Sequence, residues 1–227
     1  MPTLEHRIAL IHALEESVGP IRAAFSTVWP EAFTFDLMDT SLAIDRAAVG
    51  KVDGAMARRF DTLARYASEA KGQGGQTEAI LFTCSAFGSA IDAVKARLDI
   101  PVLRPNEAAF SEALDQGDRI GLIVSFLPSR DMLRDELMAM AAAAGRQVSI
   151  EVVLAEGALE ALKSGDGVQH DALIAQAAES LGAVDVLVLG QFSMARAADG
   201  LRGAGHPSIL TTPESAVRAM RAKLVNS

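Results

Sequence analysis

The sequence predicts an α/β fold of two pseudo-symmetric lobes, each a short parallel sheet covered by helices, with the site in the cleft between them. Three observations predict it. Apolar runs of strand length alternate with segments of helical periodicity along the chain. Those strand runs are continuously apolar, as in parallel strands buried on both faces. The pattern also occurs twice: Cys84 and Gln191 close equivalent strands, Glu107 and Glu214 open equivalent helices, and both pairs lie 107 positions apart. So long a repeat marks duplicated lobes, not a solenoid array. The expected division is 1–116 for the first lobe, 117–212 for the second, and 213–227 for a C-terminal helix packing back on the first.

Taken in order, Ile8-Ala9-Leu10-Ile11, closed by His12, reads as a buried first strand. From Glu15 to Val28, Val18, Ile21, Ala24, Phe25 and Val28 recur three or four apart, an amphipathic helix with Gly19-Pro20 near its start. Residues 31–38 make the second strand, and Asp39-Thr40-Ser41 begins a loop at its carboxyl end; Asp39 and Ser41 are minor site candidates. Met56, Phe60, Leu63 and Ala67 stripe a helix over 53–70. Gly72-Gln73-Gly74-Gly75 breaks it. Ala79-Ile80-Leu81-Phe82 is the third strand, 88–98 a helix and Pro101–Arg104 a fourth short strand, after which Pro105-Asn106-Glu107 opens another helix. The series then restarts. Residues 119–126 echo the first strand, 147–155 the second, Val184–Met194 the third, and Pro207–Glu214 the stretch from Pro101. His170-Asp171 opens a further helix, with Asp171 read as its cap and dipole partner.

Half of the 227 residues are hydrophobic and 5% aromatic, ample for a core in each lobe. A net charge of -8 without blocks of like charge argues against nucleic acid and anionic membranes as partners. One cysteine admits no internal disulfide, which fits a reducing compartment. The opening Met1–Arg7 lacks the basic-then-apolar pattern of a leader, and no run of about eighteen apolar residues occurs. The expectation is a soluble cytoplasmic protein. No His, Cys, Asp or Glu spacing suggests a metal, and no glycine-rich phosphate motif or nucleophile elbow is present. No cofactor is expected.

Cys84 is the only cysteine, and it sits where a buried strand gives way to a helix. Unpaired backbone N–H groups and the positive end of a helix dipole favour a thiolate there and attract carboxylates. The alternative is a small buried hydrophobe.

Strands ending in Leu81-Phe82-Thr83-Cys84-Ser85 and Leu187-Val188-Leu189-Gly190-Gln191, one per lobe, resemble the aspartate/glutamate/hydantoin racemase superfamily, which also holds arylmalonate decarboxylase and maleate isomerase. The resemblance runs from Ile8 to about Leu224. It implies cofactor-independent proton transfer at the α-carbon of a small carboxylate, and a homodimer. Racemases of this type use two thiols, one on each face of the carbon. Here the second is Gln191, whose amide has no usable pKa near neutrality. A symmetric two-thiol racemase is therefore excluded.

Within that resemblance Cys84 is the acid–base group or nucleophile. Thr83 and Ser85 are candidate carboxylate binders through hydroxyl and N–H donors, or helix caps. His12 is the candidate replacement for the missing second acid–base group, or a hydrogen-bonded histidine at the sheet's edge. Gln191, Phe192 and Ser193 hold the equivalent place in the second lobe, with a substrate-binding role or, for Gln191, a polar strand end facing water. Ser125 and Ser129 are further substrate contacts by analogy. The leading function is a racemase-like isomerase using Cys84. Decarboxylation of a malonate-type substrate and carboxylate binding without catalysis are the alternatives.

Overall fold

The computed structural model describes residues 5–206 and 208–225. The expectations for Met1–Leu4, for Pro207 at the head of the last strand and for the final two residues lie outside these. The chain divides into two compact units. One runs to Pro105 and takes back the segment from Ala216 onward; the other is Asn106–Ser215.

In chain order the first unit comprises β1 (His6–His12), α1 (Val18–Val28), β2 (Ala32–Met38), α2 (Ser41–Val49), α3 (Gly54–Glu69), β3 (Lys71–Gly72), β4 (Gly75–Phe82), α4 (Gly88–Lys95) and β5 (Val102–Leu103). β2, β1, β4 and β5 lie side by side and parallel, so apolar β1 and β4 are central and buried. α3 covers β4 through Phe60, whose ring stacks on Phe82 at 5.1 Å and meets Phe87 at 4.8 Å. Burial of each such ring is worth about 2–3 kcal/mol.

Two expectations change here. Gly72–Gly75 does more than end a helix: β3 and β4 pair antiparallel across it, with Gly74 and Gly75 at positive φ. A side chain on Gly74 would also meet the Phe33 Cβ at 2.8 Å. The expected loop from Asp39 is only a two-residue link, Asp39-Thr40, because α2 begins at Ser41; α2 stops at Gly50 in the left-handed conformation that glycine adopts freely.

The second unit contains α5 (Glu107–Gln116), β6 (Arg119–Val124), α6 (Arg130–Ala143), β7 (Ser149–Leu154), α7 (Ala158–Lys163), α8 (Gly167–Glu179), β8 (Val186–Leu189), α9 (Ala198–Gly203) and β9 (Ser208–Thr211); α10 (Thr212–Val225) starts here and continues in the first unit. Its sheet has the order β7-β6-β8-β9, all parallel. Side chains alternate between faces. Leu122, Val124, Val186, Val188 and Leu210 pack with Phe110, Leu133 and Leu137 on one side. Ile123, Leu187, Leu189 and Ile209 pack with Ile174, Met194 and Leu201 on the other. The sheet is covered on both faces, as its apolar runs require.

The division shifts the expected boundary at 116. α5 belongs to the second unit because Ala109, Phe110, Ala113 and Leu114 are part of that unit's core. The repeat holds at the level of register. Ile11 pairs with Phe82 as Ile123 pairs with Leu189. Thr83 N–H donates to Ile11 O at 3.0 Å as Gly190 N–H donates to Ile123 O at 2.8 Å.

Candidate active site

In the first unit the site residues lie at the carboxyl ends of β1 and β4, where parallel α/β sheets bind their ligands. β4 ends at Phe82, and Thr83 and Cys84 carry the extended backbone one step further. A turn of 3₁₀ helix, Ser85–Phe87, then separates Cys84 from the start of α4 at Gly88. Cys84 is only 8% exposed. Burial pushes its thiol up to about 11, against the Ala86 backbone N–H and the charge of Arg46, which pull the other way. This corrects the thiolate expectation: the α-helix starts four residues downstream, and desolvation outweighs what remains.

Arg46 is the residue that sequence reasoning missed. It sits on the inner face of α2, 8% exposed, and its Nε donates to the Ala86 carbonyl at 3.3 Å. Among the described residues it has no acidic partner. A buried guanidinium without a counter-ion is costly unless an anion completes it. Its charge acts on the Cys84 thiol.

His12, Thr83 and Ser17 are brought together and buried. His12 Nδ1 lies 2.8 Å from Thr83 Oγ1 and 3.1 Å from Ser17 Oγ, and the two hydroxyl oxygens are 2.9 Å apart. His12 Nε2 lies 2.9 Å from Asp36 Oδ1, while Asp36 Oδ2 pairs with Arg22. Burial lowers the His12 pKa below its usual 6.5, outweighing the hydrogen bond and charge of Asp36. β1 is flanked by β2 and β4, so His12 ends a central strand and not the sheet's edge. The Thr83 N–H is spent on Ile11 O and is no carboxylate donor. Ser85 is buried in the 3₁₀ turn that follows Cys84. Asp39 is a local turn partner, accepting from Ser41 N–H and Oγ and paired with Arg59.

In the second unit Gln191, Ser125 and Ser129 converge. Gln191 Oε1 accepts from Ser125 N–H at 2.7 Å, and its Nε2 is 3.5 Å from Ser129 Oγ. The amide is therefore braced across the ends of β8 and β6, which corrects the reading of a strand end facing water. Ser193 is buried in the 3₁₀ segment Phe192–Ala197. Phe192 is 2% exposed and packs as core, leaving little surface to offer a substrate. Asp171 is not the cap of α8: Asp166 accepts from Gln169 N–H there, and Asp171 instead binds His170 and Arg196. No group of three His, Cys, Asp or Glu side chains able to hold a metal occurs among the described residues, and no described helix is long and apolar enough to cross a membrane.

The model of the Asp/Glu/Hydantoin racemase family matches residues 20–220. The chain belongs to that family. Membership places it in the racemase class of isomerases. Solved racemase structures share its fold. Picrophilus torridus aspartate racemase superposes with a TM-score of 0.74 at 12% identity, covering 96% of this chain and 94% of its own. Glutamate racemase RacE1 of Bacillus anthracis gives 0.72 at 14%, covering 98% and 83%. Allantoin racemase of Pseudomonas fluorescens gives 0.69 at 16%, covering 97% and 91%. At these identities the racemase likenesses carry the fold alone. No curated protein matches the sequence.

Proposed function

We infer that the protein is a cofactor-independent, racemase-like isomerase that moves a proton at the α-carbon of a small carboxylate through Cys84. The observation that carries this reading is Arg46, a buried guanidinium without an acidic partner among the described residues, whose charge acts on the only thiol. A substrate carboxylate is the anion that completes it. The same carboxylate, once the α-proton leaves, develops enediolate charge, which a fixed guanidinium stabilises at the moment it forms. With the thiol held protonated near neutrality, the resting enzyme presents an acid; a second group must accept the first proton or regenerate the thiolate. Ser85 is the neutral polar group of this unit assigned to substrate contact, and its hydroxyl exchanges no proton readily.

Protection of Cys84 from alkylation tests this reading. Acidic amino acids, hydantoins, maleate and substituted malonates are added in turn, and products are separated on a chiral column. The reading expects at least one carboxylate to protect Cys84 and to be converted, and Arg46→Met to weaken that protection about tenfold or more, as loss of a charge-assisted pair requires. Protection by uncharged analogues as strong as by carboxylates, and unaltered in Arg46→Met, contradicts it.

A further inference from the structure

Arg46 stands on a helix with little bed of its own. α2 follows the edge strand β2 through a two-residue link, spans nine residues and buries only Leu42, Ala43 and Arg46. So short a helix is not stable without tertiary support. Nor does Arg46 supply that support, because taking a guanidinium out of water costs free energy that one hydrogen bond to the Ala86 carbonyl does not return. Its place has to be imposed from elsewhere in the unit.

α3 is the firmly seated neighbour. Met56, Phe60, Ala64 and Ala67 are buried along it, and Asp53 caps it by accepting from the Met56 N–H at 2.9 Å. The Phe60 ring lies against Phe82 and Phe87, which flank the segment that carries Cys84 and Ala86. Arg59 is the adjacent residue, turned about 100° around the helix axis. Its Nη1 donates to Asp45 Oδ2 at 2.6 Å, and its Nη2 donates to Asp39 Oδ2 and to Ser41 Oγ. Asp39 in turn accepts from the Ser41 N–H at 3.2 Å and from Ser41 Oγ at 2.7 Å, closing the first turn of α2, whose cap residue Thr40 makes no side-chain bond. One guanidinium thus grips α2 at its start and again one turn further on. A single exposed ion pair contributes little, but a fork shared among three partners in two places fixes an orientation. The fork also occupies the Asp45 carboxylate, which directly precedes Arg46 in the chain.

We propose that Arg59 is a positioning residue of the site, locking α2 to α3 so that the Arg46 guanidinium stays at the Ala86 carbonyl, in the segment that carries Cys84. The assignment rests on the function inferred for Cys84 and Arg46. Arg59 touches no reacting atom. Phe60 and Arg59, side by side on one helix, hold the thiol segment and the guanidinium helix in a common frame.

Two measurements test it. Proton–nitrogen correlation spectra of the arginine side chains report the Arg46 Nε–H without any substrate, its peak being identified by its loss in Arg46→Met. That proton is expected to exchange with solvent about tenfold or more faster in Arg59→Gln, while the backbone spectrum of the rest of the unit shows the fold kept. Asp45→Asn, which loosens the tie without touching α3, is expected to act in the same direction and decides the matter if Arg59→Gln does not fold. Unaltered exchange in the folded variants overturns the proposal. The second measurement is protection of Cys84 from alkylation by the carboxylate panel. Arg59→Gln is expected to weaken protection about tenfold, as Arg46→Met does, and the double variant to be no weaker than Arg46→Met alone. Arg59→Lys, with a point charge in place of the fork, should recover part of the loss. Losses that add in the double variant, or full protection in Arg59→Gln where Arg46→Met is impaired, overturn the role of Arg59 and leave the reading of Arg46 standing. No protection by any carboxylate in the wild type removes that reading and this inference with it.

Discussion

The protonation of Cys84 can be measured before any substrate is known. With its thiol at about 11, roughly one molecule in a thousand carries a thiolate at pH 8, against about a quarter for an ordinary cysteine near 8.5. Iodoacetamide, which reacts with the thiolate alone, should therefore modify Cys84 about two-hundred-fold more slowly than glutathione at that pH, before its burial slows access further. The rate should climb about tenfold per pH unit and level off only near pH 11. In Arg46→Met, where the charge that lowers the thiol is gone, the climb should begin at still higher pH. Stopped alkylation with mass-spectrometric counting of the single cysteine gives the profile. A plateau already near neutrality shows that Cys84 rests as a thiolate and refutes the balance drawn here between burial and the Arg46 charge.

Three further outcomes follow from the same structure. Because the folded-state thiol is raised above its unfolded value of about 8.5, stability is full below that pH and falls as pH rises toward 11, by about 3 kcal/mol; urea midpoints in Cys84→Ala should lack that decline. His12 behaves oppositely: its folded pKa lies below 6.5, so the stability it contributes is present above that pH and lost as pH falls beneath it, and His12→Gln should flatten this part of the acid limb. Gly190→Ala places a Cβ 2.9 Å from the Ile123 carbonyl oxygen and should cost roughly 1–3 kcal/mol in thermal or urea unfolding, whereas an unchanged midpoint contradicts the close packing seen there.

Most of the architecture was legible because buried parallel strands write themselves as unbroken apolar runs, and because the series of runs occurs twice in the same order. α2 was not. Its inner face is Leu42, Ala43 and Arg46, and a guanidinium at a core position interrupts the apolar stripe by which a helix is recognised. Gly50, a C-terminal glycine stop, was the signal that marks it. The allegiance of α5 was hidden for another reason. Its apolar face is plain in the sequence, but the partner of that face, the β8 and β9 sheet, is supplied by residues far down the chain. Asp36 was visible as a charged residue inside the apolar strand Ala32–Met38, and such a residue in a buried sheet asks for a partner. What joined it to His12 was strand register. The bracing of Gln191 by Ser125 is of the same kind: two polar strand ends meet only once β6 and β8 are set side by side.

The central claim is that Cys84 moves the α-proton of a carboxylate held by Arg46. Proton NMR in D₂O, with the wild type, Cys84→Ser and Arg46→Met on the carboxylate panel, tests it most directly. The account predicts deuterium entering the α-position of at least one carboxylate without loss of CO₂, abolished in Cys84→Ser and reduced about tenfold or more in kcat/KM by Arg46→Met. Exchange that survives Cys84→Ser, or CO₂ release in place of exchange, contradicts it.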